Sequence, residues 1–336
     1  MPSASSWRDL LKEVISDPNE KERIAREMNI NPATLGRWAQ GISQTPRPQK
    51  LRQLVAAFPA HLRTLLDELL RREYSQFQEG EALPESDQID YEFLRQFWET
   101  RASTPVPLQF WALSGKVLQN ALRQLDPVPL GMAITIAQLM PLSAEGISRS
   151  LREVAGLATP PWPRDMEHYV MFLGLHSLVG YAVSHWRPAF IDDLRERETF
   201  LPVYRIEHEI SAAAVPIIYA NRMAGCLLLS STQPGYFHSE ERRSLIKDYA
   251  ELLATAFQPA EFFEADQIKL HLMPSLEEQQ PFFLALQQRV NVIMKQSLQA
   301  EEPLTRRQAE EVVWRQIEEE LLHLALHGGE HTDADH

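Results

Sequence analysis

The apolar positions of the first seventy-odd residues recur at helical spacing, in short segments separated by breakers. Leu10, Leu11, Val14 and Ile15 mark one helix over Trp7 to Ile15, and Ile24, Ala25 and Met28 a second over Glu20 to Met28. Asn29-Ile30-Asn31-Pro32 interrupts the pattern, with Asn31 placed to cap and Pro32 suited to a first helical position. A third helix, Ala33 to Gln40, would bury Leu35 and Trp38 and end at Gly41. Leu51 to Phe58 and His61 to Tyr74 predict two more. After a hydrophilic break over Gln76 to Gln88, helical spacing returns over Ile89 to Thr100 and Leu108 to Leu125.

The pattern then changes. Leu130 to Leu142, LGMAITIAQLMPL, reads as an apolar strand bounded by prolines. Ser211 to Tyr219 and Met223 to Ser231 are strand-like runs joined by Ala220-Asn221-Arg222, a hairpin. Ser239 caps the next helix, whose first turn carries Glu240 and Glu241 and whose face carries Leu245, Ile246, Tyr249, Leu252 and Leu253. Gln267 to Leu272, Glu277 to Gln296 and Leu304 to His327 read as helices, with Val313, Ile317, Leu321 and Leu324 on one face of the last. The fold class expected is a multidomain chain, mainly α with one α+β domain. Its parts are a helical domain at 1–74, a linker at 75–88, a helical stalk at 89–125, an α+β domain at 106–258, C-terminal helices at 259–327 and a tail at 328–336.

Charge separates the parts chemically. The 336 residues carry 33 Lys and Arg against 46 Asp and Glu, a net charge of −13. Residues 1–74 hold 12 basic against 9 acidic side chains, so a mildly basic head precedes an acidic body. That asymmetry suits a local contact with a polyanion. Cys226 is the lone cysteine, which excludes an internal disulfide and a cysteine zinc module and agrees with a reducing cytoplasm. The N-terminus lacks a secretory pattern, and the uncharged stretch from His168 to Trp186 is read as buried rather than membrane-spanning because of its histidines, serines and glycines.

KERIAREMNINPATLGRWAQG resembles the second helix, turn and recognition helix of the lambda-repressor/Cro-like family, over about residues 7–73. The resemblance implies a helix-turn-helix that places the third helix in the major groove of double-stranded DNA. It puts Arg37, Pro32 and Ala33 on base-facing positions and Thr34, Lys21 and Arg47 on phosphate-facing ones, with Lys50 and Arg26 beside them. Arg37 can be bidentate to guanine, whereas Pro32 and Ala33 offer apolar contact to a thymine methyl. Ala39 stands where the family usually has an acid, and Gly36 leaves the reading helix without a side chain at one exposed position.

VPIIYANRMAGCLLLSSTQPGYFHSEERRSLIKDYAELLATAF is similar to the closing half of GAF domains, and HSLVGYAVSHWRPAFIDDL resembles their middle, so the likeness spans about residues 106–258. It implies an antiparallel sheet with helices on one face and a small-molecule pocket on the other. A covalent bilin is not favoured, since Cys226 lies on the penultimate strand. His168, His176, Arg187, Asp192, Arg205 and His208 are the candidate ligand-binding residues. The spacings among His168, His176, His185 and His208 fit no metal or haem motif, so neither group is favoured and the effector is unidentified. Glycine-flanked Ser177 fails the nucleophile-elbow register, and no zinc-protease or phosphate-loop motif occurs. The expectation is a cytoplasmic, non-enzymatic, homodimeric transcription regulator with a small-molecule effector. A protein-docking adaptor remains the alternative, and an enzyme using Ser177 or His176 a weaker one.

Overall fold

A computed structural model describes residues 6–28, 30–41, 46, 48–59, 62–73, 88–166, 171–195, 207–300 and 302–328. The chain divides into two compact units, Met1–Ser86 and Asp87–His336. The predicted linker lies outside the described residues except for Gln88.

The first unit contains α1 (Trp7–Val14), α2 (Pro18–Glu27), α3 (Pro32–Ala39), α4 (Pro48–Ala57) and α5 (Arg63–Glu73). Each of the first three starts at a side-chain cap: Ser6 accepts from Asp9 N, Asp17 from Asn19 N, and Asn31 from Ala33 N. Proline opens α2 and α3 because its missing N–H would be unbonded there in any case. Gly41, at φ 68°, ends α3 in the left-handed conformation that glycine adopts without strain. Trp7, Leu10, Leu11, Ile24, Leu35 and Phe58 form the dry interior on which the helices close.

The second unit is built on a six-stranded antiparallel sheet: β1 (Met132–Leu139), β2 (Leu151–Ala158), β3 (Phe172–Leu173), β4 (Ala189–Ile191), β5 (Ser211–Tyr219) and β6 (Arg222–Ser231). Their order across the sheet is β3-β2-β1-β6-β5-β4. The predicted hairpin is β5–β6. Its turn is the two residues Ala220 and Asn221, at φ 49° and 59°, the twist that a two-residue connection requires. Arg222, expected in the turn, already pairs with Tyr219.

One face of the sheet is covered by α6 (Tyr91–Ser103), α7 (Val106–Leu125) and α9 (Glu240–Ala254). Met132, Ile134 and Ile136 of β1 meet Phe97, Leu113, Val117 and Leu253 there. The segment expected as a helical stalk contributes Phe97, Leu113, Val117 and Leu118 to the domain core. Asn120 Nδ2 donates to the Tyr249 hydroxyl at 2.7 Å, which donates to Gln124 Oε1 at 2.6 Å, fixing α7 against α9. Trp98, Val106, Leu108 and Trp111 remain about half exposed.

Residues Gln267 to Leu272, expected as a helix, form a 3-10 turn (Ala265–Gln267) followed by extended chain. Ile268, Leu270 and Leu272 alternate with polar residues, a strand period, and the segment hydrogen-bonds the 148–149 backbone instead. The single helix expected over Glu277 to Gln296 is two, α10 (Leu276–Leu284), which contains Pro281, and α11 (Leu286–Gln299), with the break at Ala285. With α12 (Arg306–Gly328) they cover the sheet edge at β3. Phe172 and Gln279 exchange hydrogen bonds at 2.7 and 2.9 Å, and Ser150 Oγ donates to Glu318 Oε1 at 2.5 Å. No helix among the described residues is long and apolar enough to cross a membrane.

Candidate functional site

Strand alternation determines what the second sheet face carries. Where Ile134 and Ile136 point to the helices, Ala133, Thr135 and Ala137 point the other way. Antiparallel register brings Glu153 opposite Ala137, Gly156 opposite Thr135, and Ser230 opposite both Ala133 and Ala212. Part of this face is filled by α8 (Leu178–Ser184), whose Val179, Ala182 and Val183 pack on Ala214, Cys226 and Leu228. Another part carries Trp162 and Met166 against Ala133 and Ala158.

Between these apolar patches lies a buried polar cluster. Thr135 Oγ1 donates to Glu153 Oε1 at 3.0 Å, and Ser230 Oγ donates to Glu209 Oε1 at 2.5 Å. Burial pushes the Glu153 carboxyl up to about 8, with a smaller upward push from Glu209 and a partial offset from Thr135. Glu153 therefore holds its proton at neutral pH and can donate as well as accept. A buried acid and a half-buried one on the same sheet face, each accepting from a hydroxyl, offer the chemistry that suits hydrogen-bond donors or a cationic group.

Among the described residues, no hydrogen bond or ion pair joins the ligand residues expected from sequence to one another. His168 and Arg205 lie outside the described residues. His176 and His208 are exposed; His208 sits at φ 75°, 3.7 Å from the Glu207 carboxylate. Arg187 is exposed and donates to the Tyr181 hydroxyl at 2.7 Å. Asp192 faces His238 at 3.2 Å and Arg243 at 3.6 Å. Ser177 is buried and its hydroxyl is committed to capping α8, donating to Gly174 O at 2.8 Å and accepting from Gly180 N at 2.9 Å. Cys226 is buried, and desolvation holds its thiol well above the usual range. Among the described residues no group of three or more His, Cys, Asp or Glu side chains could hold a metal ion.

Sequence reading missed Glu153, Thr135, Ser230 and Glu209. The available signal was Arg152-Glu153, two charges side by side in the otherwise apolar LREVAGLA.

In the first unit, Pro32, Ala33 and Arg37 share an exposed surface of α3, and Arg37 Nη2 donates to Thr34 Oγ1 at 3.3 Å. Lys21 Nζ stands 4.0 Å from where a side chain on Gly36 would begin, so the bare position on α3 is flanked by a cation from α2. Arg26 is exposed on α2 and Lys50 half-buried on α4, while Arg47 lies outside the described residues.

Residues 115–258 match the family model of the GAF domain. Three solved structures are similar over about half of this chain. The GAF domain of an Acinetobacter phosphoenolpyruvate-protein phosphotransferase is 20% identical, covering 49% of this chain and 90% of that one, with TM-score 0.34. A type II free methionine-R-sulfoxide reductase from Thermoplasma acidophilum is 17% identical over 48% and 99%, with TM-score 0.35. A methyl-accepting chemotaxis protein fragment is 16% identical over 49% and 95%, with TM-score 0.34. No curated protein matches the chain.

Proposed function

We propose that this chain, whose residues 115–258 form a GAF domain, is a one-component transcription regulator that binds DNA through its first unit and a small molecule through the second. The carrying observation is the surface of α3, where Arg37, Thr34, Ala33 and Pro32 stand together with Lys21 beside them, on a unit whose apolar side chains are spent on its own core. A guanidinium at that point on a short exposed helix matches guanine in the major groove, and Lys21, Arg26, Lys50 and Arg47 supply phosphate contacts. The chain works as a homodimer reading paired half-sites, so modest direct readout by each head is multiplied by two.

The effector enters on the sheet face bearing Glu153, Thr135, Ser230 and Glu209. It presents hydrogen-bond donors or an ammonium group to them, and no chemical step follows binding. Occupancy biases which arrangement of the two heads is populated, in proportion to its differential affinity for the two states.

Fluorescence anisotropy on duplexes tiled across the gene's own upstream region, at two salt concentrations, tests the reading. One tile is expected to bind tightly, to weaken steeply with salt, and to lose about tenfold or more of its preference in Arg37→Ala. Uniformly weak binding unaffected by Arg37→Ala would instead make the first unit a protein-docking module.

A further inference from the structure

Consecutive residues of a strand face opposite ways, and β2 uses this to place a charge on each side of the sheet. Glu153 belongs to the face described above. Arg152 enters a separate cavity of about 450 Å³ on the helical side, between the sheet, the start of α7, the 259–263 segment and α12. That volume lies within the range of small-molecule sites.

Arg152 is only partly covered as a residue, yet its Nε is fully buried and has no hydrogen-bond partner among the described residues. Its guanidinium lies 4.4 Å from the Trp314 ring centroid, which orients the group without neutralising it. Burial lowers its pKa to about 10, and the through-space pull of Glu310 and Glu311 offsets this only in part. Those acids are already engaged: Glu310 by Arg306 at 2.9 Å and Glu311 by Arg307 at 3.5 Å. Glu261 accepts from Gln138 Nε2 at 3.0 Å and Gln258 N at 2.6 Å. Arg149, three residues earlier, shows the contrasting arrangement, with Glu318 and Glu319 both against it. A guanidinium with a buried, unbonded Nε and no close ion pair among the described residues is costly to keep, and its place at the cavity points to an anion that comes from outside the chain.

We infer that this cavity is a second ligand site, distinct from the sensor face, for a small amphipathic carboxylate held by Arg152. The apolar walls Phe110, Val154, Met140 and Phe263 take the body of the molecule. Glu261, Glu310 and Glu311 at the cavity repel a second negative charge, which disfavours phosphates and polycarboxylates. Because the walls come from both the sheet and α12, occupancy fastens the C-terminal helices to the sensor domain.

Thermal unfolding of the full chain with hydrocinnamate, hydrocinnamide and inorganic phosphate tests the site. Hydrocinnamate is expected to raise the melting temperature saturably, with an affinity about tenfold to a hundredfold above that of the neutral amide, the ratio set by charge-assisted hydrogen bonds. Arg152→Met, which exchanges the unpaired cation for an apolar chain of similar length, should lose this response while melting no lower than wild type without ligand. The inference fails if hydrocinnamate leaves the wild type unshifted, if the amide or the Arg152→Met variant responds equally, or if phosphate gives the larger shift. The comparison of acid with amide on the wild type decides the matter even where the variant does not fold.

Discussion

Gly225→Val is expected to abolish folding of the 87–336 unit near room temperature. Gly225 lies on β6 between β1 and β5, opposite Gln138 on one side and Ile217 on the other. A β carbon placed there would stand 2.1 Å from the carbonyl oxygen of Ala137 and 2.9 Å from the α carbon of Gln138. Both are backbone atoms of a central strand, so no rotamer change relieves the overlap, and the sheet must separate where its pairing is most extensive. Valine adds two methyl groups to that clash. Severe overpacking and lost pairing together cost on the order of 5 kcal/mol or more, as much as the whole stability of a marginal domain. Circular dichroism melting should show the loss of the transition that reports the sheet, while helical signal from the 1–86 unit persists. A variant melting within about 2 °C of wild type would show that the two strands have slack that the register does not suggest.

The same strands show where sequence and structure part. The β5–β6 hairpin and the capped helix after it were legible because each signal is local: alternation, a short turn tolerant of positive φ, and Ser239 followed by two acids. The helices of the first unit were legible for the same reason, down to the Asn31 cap and the Gly41 stop. What local pattern cannot state is which element lies opposite. α7 announces an apolar stripe, but a stripe suits a dimer stalk and a sheet equally well, and the sheet has it. β2 went unread because Arg152 and Glu153 interrupt the apolar run, one half-covered at a cavity and the other buried on the opposite face. β3 and β4 are two and three residues long and exist only through their pairing partners.

The candidate ligand residues were drawn from a different part of the fold for a related reason. His176, Arg187 and His208 stood out because polar side chains cluster in connecting segments, and connecting segments run over the surface. The acids that repel each other through space are remote in sequence, Glu153 on β2 and Glu209 ahead of β5. Their proximity is a product of the crossover topology. Exposure of Arg37 on α3, by contrast, follows directly from helical periodicity once Leu35 and Trp38 are taken as the buried side.

Raising the pH is expected to destabilise the wild-type 87–336 unit across neutrality, and Glu153→Gln is expected to flatten that dependence. In the folded chain the Glu153 carboxyl titrates at about 8, against roughly 4.3 for an unfolded glutamate. Between these values the folded protein retains a proton that the unfolded chain has released, so folding takes up a proton and stability falls as pH rises through the window. The contribution is fully present below the unfolded value and is lost by about pH 8, a change on the order of 5 kcal/mol. Glutamine keeps both the acceptor for Thr135 and a donor without a titrating charge, so it should match the wild type in acid and exceed it in mild base. Parallel melting curves for the two proteins from about pH 5 to about pH 9 would remove Glu153 as the titrating group. The same equilibrium connects to sensing. A ligand that brings a positive charge to Glu153 and Glu209 gains most when Glu153 ionises, so its binding should release a proton near neutral pH and tighten as pH rises. A neutral donor makes no such demand and leaves the proton in place. Calorimetric titration in buffers of different ionisation enthalpy separates the two, and thereby tells which charge the effector carries before its structure is known.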